Sequence, residues 1–168
     1  MKRKLGLTAA LVVALALTGY AQKKPDFSGA WAPDQAATDA ANASTTTAAP
    51  PAGGGGGGGG MGGRGGGGPM TIKQTADSLA IERQGRNGAT TTTYKLDGTE
   101  TEVQMRGGTA KAKAKWDGDK IVIETTGAGQ DGTPVTTTAT YSIDKDGVLW
   151  IENKTAMGSR KTAYKKST

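Results

Sequence analysis

The chain has neither cysteine nor histidine among its 168 residues. It can therefore form no disulfide, thiolate nucleophile or imidazole metal ligand, and it lacks the usual general base near neutral pH. Aromatic residues are also scarce, at 5% of the chain. These absences predict a protein that is not an enzyme, with no catalytic residues, no metal site and no cofactor.

The N-terminus has the pattern of a secretory signal peptide over residues 1–21. Lys2, Arg3 and Lys4 precede an apolar run from residue 5 to 17, and small residues lie at 19 and 21. An apolar run of this length is too short to span the ~30 Å hydrocarbon layer of a bilayer. We therefore expect export to the periplasm or the extracellular space, with the mature chain starting at Gln22 and not inserted stably in a membrane.

Positive charge is modest once the signal peptide is removed. Cleavage takes away three basic residues and no acidic one, so the net charge falls from +6 to +3. Such a small and dispersed charge argues against nucleic acid as a partner.

Residues 32–69 are rich in Ala, Thr, Pro and Gly, with 14 glycines between positions 53 and 68. A phosphate-binding loop would continue with Lys and Ser or Thr and then a helix, whereas Pro69 and Met70 follow here. The single Arg64 has no aromatic neighbour that could stack on a base. With almost nothing to bury, this stretch is predicted to be a disordered linker.

From residue 70 onward the pattern has period two, and turn residues recur at short intervals. It predicts an all-β domain over 70–168, to which residues 22–31 add a first strand. The predicted strands are 27–31, 71–75, 79–84, 90–95, 99–105, 109–116, 120–126, 134–143, 148–153 and 160–165. No segment has a convincing helical period.

Two Asp-Gly pairs predict tight hairpins with two-residue loops. At Asp97-Gly98 the expected register pairs Tyr94 with Thr101. At Asp117-Gly118 it pairs Ala114 with Ile121, which places Ala110, Ala112 and Ala114 inside and the intervening lysines in water. The loop "DKDG" at 144–147 allows two registers: one leaves Trp150 outside, and the other turns it inward.

Successive hairpins with one apolar face predict an antiparallel up-and-down meander, closed or nearly closed into a barrel of 8–10 strands. A sandwich or an open curved sheet is the alternative architecture. The candidate ligand-binding residues share the predicted inner face, and they would equally form a plain packed core. They are Trp31, Tyr94, Leu96, Val103, Met105, Trp116, Ile121, Ile123 and Tyr141.

"DFSGAW" contains Gly29-Ala30-Trp31, a G-x-W that enters the first strand of a meander. With "MTIKQTADSLAIER", "AKWDGDKIVIET" and "YSIDKDGVLWIENK", it resembles small secreted bacterial lipocalin-like proteins over residues 25–31 and 70–168. The resemblance implies a calycin-type barrel that binds a small apolar molecule. It also implies an arginine from the last strand, Arg160, above Trp31 at one barrel end. The alternative function is a structural or surface-contact protein of the cell envelope without a small ligand.

Overall fold

The computed structural model describes residues 24–43, 68–85, 88–105, 108–129 and 131–167. Within these residues there are ten strands and one short helix. In chain order they are β1 (Gly29–Asp34), α1 (Gln35–Ala43), β2 (Met70–Gln74), β3 (Ser78–Gly85), β4 (Gly88–Lys95), β5 (Asp97–Met105), β6 (Gly108–Asp117), β7 (Lys120–Ala128), β8 (Pro134–Ile143), β9 (Leu149–Thr155) and β10 (Gly158–Lys166). The predicted signal peptide and the glycine-rich part of the predicted linker, residues 44–67, lie outside the described residues.

The strands form one antiparallel sheet in the order β4-β3-β2-β1-β10-β9-β8-β7-β6-β5. Because β1 pairs with the last strand, β10, the meander rolls up into a nearly closed barrel. Within the described part of the chain, no ladder joins β4 to β5, so the barrel keeps one unpaired seam there. The predicted all-β meander is confirmed.

Strand β6 illustrates why the sequence forms this wall. Ala110, Ala112 and Ala114 are buried, and the alternating lysines of the same strand are exposed. Side chains of a strand point to opposite faces in turn, so this segment has a dry inner side and a wetted outer side. The predicted inward and outward faces of β6 are confirmed.

The predicted register of the β6–β7 hairpin is wrong by two residues. Ala114 pairs with Ile123 rather than Ile121, and Asp117 pairs with Lys120. The loop residues are thus Gly118 and Asp119, and of these only Gly118 has a positive φ, 62°. A turn with glycine first needs one positive φ, whereas Asp-Gly at the centre would need two. A slip of two residues preserves the faces, which is why the buried set is still correct.

The predicted hairpin at Asp97-Gly98 is also wrong, because β4 and β5 are not paired. Asp97 starts β5 opposite Lys115 of β6, and its carboxylate accepts the Thr99 N–H at 2.9 Å. The Leu96 N–H donates instead to the Asp77 carbonyl, at 2.8 Å. This bond keeps the end of β4 beside the β2–β3 turn. The next strand, β5, pairs with β6, so the seam between β4 and β5 stays unpaired.

The loop at 144–147 adopts the first of its two registers. Ile143 pairs with Leu149 and Tyr141 with Ile151, so Leu149 and Ile151 are buried. Trp150 lies on the outer wall.

The prediction of a disordered linker from residue 32 is wrong for its first part. Strand β1 continues to Asp34, and α1 follows immediately. The Asp34 carboxylate accepts the Ala37 N–H at 3.2 Å, as a helix N-cap does. The apolar residues of this helix are all alanines, so it has no large apolar side chain to bury. Hydrogen bonds to β10 hold it instead: Thr38 Oγ1 accepts the Ala163 N–H at 2.9 Å, and Asn42 contacts the Lys161 backbone.

Candidate functional site

The two ends of the barrel differ. At one end Phe27 is fully buried and its ring packs against Trp116, with centroids 6.0 Å apart and ring planes at 43°. The Lys24 ammonium lies 4.7 Å from the centre of the Trp116 ring. We call this the plugged end.

Hydrogen bonds hold the segment before β1 in place there. The Phe27 N–H donates to the Gln74 side-chain oxygen at 2.9 Å, and Trp31 Nε1 donates to the Phe27 carbonyl at the same distance. The plug is therefore tied to both β1 and β2.

The cation above Trp31 is Lys166, not Arg160 as the resemblance implied. Lys166 pairs with Trp31 across β1 and β10, and its Nζ lies 5.7 Å from the centre of the indole ring. The glycine of the G-x-W is required by its backbone, because Gly29 has a φ of 136°, which residues with a side chain rarely adopt. Arg160 pairs with Asn153 and is exposed. Six residues of a strand, about 20 Å, separate the two basic residues.

At the opposite end, which we call the open end, inward positions become exposed. Along β7, Ile121 and Ile123 are buried, whereas Thr125 is half-buried. Along β8, Tyr141 is buried, Ala139 is half-buried, and Val135 is 46% exposed. The exposure of side chains at inward positions therefore increases toward this end.

Arg83 is a candidate site residue that the sequence analysis missed. It lies on β3 in line with the buried Leu79 and Ile81, yet its own side chain is exposed. It interacts with the hydroxyls of Tyr141 and Tyr164, which are both buried inside the barrel. Burial alone would lower the pKa of the Arg83 guanidinium, but these two tyrosines raise it overall. The alternation of β3 around Ile81 was the available signal, because it places Arg83 inward.

Tyr94, Tyr141 and Tyr164 bring three phenol rings to this interior. Burial, and to a lesser extent Tyr141, raises the pKa of Tyr94 from 10.0 to about 12. Burial also raises the pKa of Tyr141, against the opposing effect of Arg83. Among the described residues no carboxylate forms an ion pair with Arg83. The Arg83 guanidinium and the phenol hydroxyls together have a chemistry suited to an anionic group.

The structure brings eight of the nine candidate ligand-binding residues into one apolar cluster. Tyr94 and Trp116 are partly buried in it, and the others are buried. The eight are Trp31, Tyr94, Leu96, Val103, Trp116, Ile121, Ile123 and Tyr141. Met105 ends β5 opposite Gly108. Trp116 lies at the plugged end, where its ring packs against Phe27.

The described residues contain no group of three or more carboxylates, histidines or cysteines that could hold a metal ion. The only helix described, α1, is nine residues long, and none that could cross a bilayer is present in the described ranges.

Solved structures with the same fold are known. One is REP1-NXSQ fatty acid transporter, with a TM-score of 0.55, 17% identity, and coverage of 85% of this chain and 97% of that one. A second is human cRBP IV, with a TM-score of 0.54, 17% identity, and coverage of 85% and 99%. No protein-family model and no curated protein matches the chain. At this identity the likeness concerns the fold alone, which is a lipocalin-like calycin barrel.

Proposed function

We propose that the protein is an exported carrier that binds a small, mainly apolar molecule with one acidic group inside its barrel. The observation that carries this proposal is Arg83. Its exposed guanidinium interacts with the hydroxyls of Tyr141 and Tyr164, and both tyrosines belong to the buried apolar cluster. Export rests on the pattern of residues 1–21.

An acidic group fits the position of Arg83 because the guanidinium is exposed to solvent and forms no ion pair with a carboxylate of the described residues. A carboxylate or phosphate would form charge-assisted, bidentate hydrogen bonds with the guanidinium fork, and the phenols could donate to the same oxygens. The proposed ligand differs from the small apolar molecule that the resemblance implied, because it also carries one acidic group.

The apolar part of the ligand would contact the inner wall on the plugged side of Arg83. Ile81 is buried next to Arg83 on β3, Ile123 is buried on β7, and Val135 is exposed at the rim of the open end. Similarity of fold to a protein described as a fatty acid transporter supports this class of ligand, because a fatty acid combines an apolar chain with one carboxylate.

The test is displacement of a fluorescent polyene fatty acid from the purified mature protein. We expect binding, and we expect Arg83→Met to weaken it by about tenfold to a hundredfold, the range for a hydrogen bond to a charged group. Lys115→Met is the matched control, because Lys115 is an exposed cation on the outer face of β6.

Binding of the methyl ester of the same fatty acid distinguishes the contribution of the head group to affinity from that of the apolar chain. Arg83→Met should hardly change its affinity, because the ester carries no charge. Binding of neither acid nor ester would favour the structural, ligand-free alternative. Equal loss for acid and ester would mean that Arg83 supports the fold rather than the head group.

A further inference from the structure

The outer wall of the barrel carries a groove of about 290 Å³ that is separate from the interior. It lies over β8, β9 and β10, and Ala41 of α1 bounds it on one side. Its volume is at the lower end of the range for small-molecule sites, which begins near ~300 Å³. Trp150 lines it, with its indole half-buried.

The Trp150 ring is fixed in position. Its Nε1 donates to Asp144 Oδ2 at 2.9 Å, and Asp144 Oδ1 accepts the N–H groups of Asp146 and Val148, also at 2.9 Å. The hydrogen bond from Trp150, followed by those from the backbone, lowers the pKa of Asp144 below its ordinary value. An aromatic surface that is already ordered costs little further entropy when a ligand binds.

Beside this ring the groove is polar. Ser142 pairs directly with Trp150, and Thr140 pairs with Glu152 on the same outer face. Within the described part of the chain, neither hydroxyl has a side-chain hydrogen-bond partner in the protein. Glu152 forms a 3.5 Å ion pair with Lys161, and Lys120 of β7 adds a second cation to the lining of the groove.

We propose that this groove binds a neutral saccharide, with one sugar ring stacked on Trp150. A pyranose presents an apolar C–H face, which suits the indole, and an edge of hydroxyl groups that both donate and accept. The Ser142 and Thr140 hydroxyls and the Glu152 carboxylate supply partners for that edge. A half-buried tryptophan with a polar surround has this dual character, whereas a fatty acid chain would leave the polar groups unpaired.

The test is titration of the mature protein with cellobiose and, separately, with chitobiose, followed by tryptophan fluorescence and by NMR shifts of the β8 and β9 amides. We expect saturable changes with at least one disaccharide. Trp150→Ala should reduce affinity by about tenfold or more, as for a central aromatic contact. Trp150→Phe should retain part of it, and Trp116→Phe at the plugged end should leave it unchanged.

Ala41→Phe is a second variant. Ala41 lies on α1, so the larger side chain should narrow the groove while every residue of the barrel strands stays the same. It should weaken sugar binding while thermal unfolding stays as in the parent. Absence of shifts with both disaccharides at millimolar concentration, or equal affinity in Trp150→Ala, would overturn the proposal. Fatty acid displacement should be unaffected by Trp150→Phe, so this site and the interior can fail independently.

Discussion

The plugged end and the open end are built from the same strands, yet they differ in chemistry. On β3 the inward positions run from Leu79, fully buried, through Ile81 to the exposed Arg83. On β8 they run from the buried Tyr141 to Val135, which is 46% exposed. The change from apolar and dry to polar and wet within one strand separates two roles. One end supplies burial energy, and in the proposed function the other end admits the ligand.

The ends also differ in the contacts that hold the neighbouring segments in place. Aromatic packing closes the plugged end, where Phe27 and Trp116 meet. At the other end α1 lies along β10, and its contacts with that strand include polar side chains bonded to backbone groups. Packing of large rings contributes several kcal/mol, whereas each hydrogen bond contributes about 1 kcal/mol net.

The largest effect is therefore expected at Phe27. Phe27→Ala should lower the free energy of unfolding by about 3–5 kcal/mol, because a fully buried ring is replaced by a cavity. Val135→Ala at the open end should cost less than about 1 kcal/mol, since half of that side chain is already in water. Urea denaturation of the mature protein measures both. Similar losses at the two positions would show that the ends contribute equally.

The inner and outer faces could be predicted from the sequence because alternation is a local property. Lys111, Lys113 and Lys115 between alanines admit only one orientation of β6 if a core is to form. The face assignment even survived the wrong register at Gly118, because the error was two residues. The face of the sheet on which a side chain lies depends only on whether its position in the strand is odd or even, and a shift of two residues does not change that.

Features that depend on distant partners could not be predicted in this way. Helix α1 has little apolar surface of its own and is held by hydrogen bonds to β10, more than a hundred residues away. Asp97-Gly98 looks like a hairpin locally, but the bond from Leu96 to Asp77 decides its partner. Arg83 was missed for a different reason: a charged residue near a strand end is usually solvated, and only the rolled sheet turns it toward three tyrosines.

A smaller effect on the free energy of unfolding is expected at high pH, and it comes from tyrosines in the interior between the two ends. Tyr94 has its pKa raised from 10.0 to about 12 in the folded protein, so the folded state holds this proton more tightly than the unfolded state. The resulting stability is complete below pH 10 and is lost as the pH rises toward 12. Between these pH values the ionisation of this residue should lower the free energy of unfolding by about 1.4 kcal/mol per pH unit. Tyr141, whose pKa is also raised, acts in the same direction.

Urea unfolding of the parent and of Tyr94→Phe across this pH range measures the contribution. Groups that do not interact with Tyr94 contribute equally to both curves, so the difference between the curves reports Tyr94 together with its coupling to Tyr141. The parent should lose stability more steeply than the variant. Parallel curves would contradict a desolvated Tyr94 and would extend the wet region deeper into the barrel.

The smallest effect is expected at the helix that lies along β10. Asn42 Oδ1 accepts the Lys161 N–H at 3.1 Å, and its Nδ2 donates to the Lys161 carbonyl at 2.8 Å, so this one side chain satisfies both backbone groups as a paired strand would. Asn42→Ala should cost about 1 kcal/mol, the net value of such bonds at an exposed site. Hydrogen exchange gives a local measurement: the Lys161 amide should exchange faster, whereas the amide of Thr162, in a residue paired with Ile151 of β9, should not. Asp39→Ala on the exposed side of α1 is the control and should change neither amide. Faster exchange along all of β10 would mean that α1 supports the whole strand, and the open end would then depend on its helix as much as the plugged end depends on Phe27.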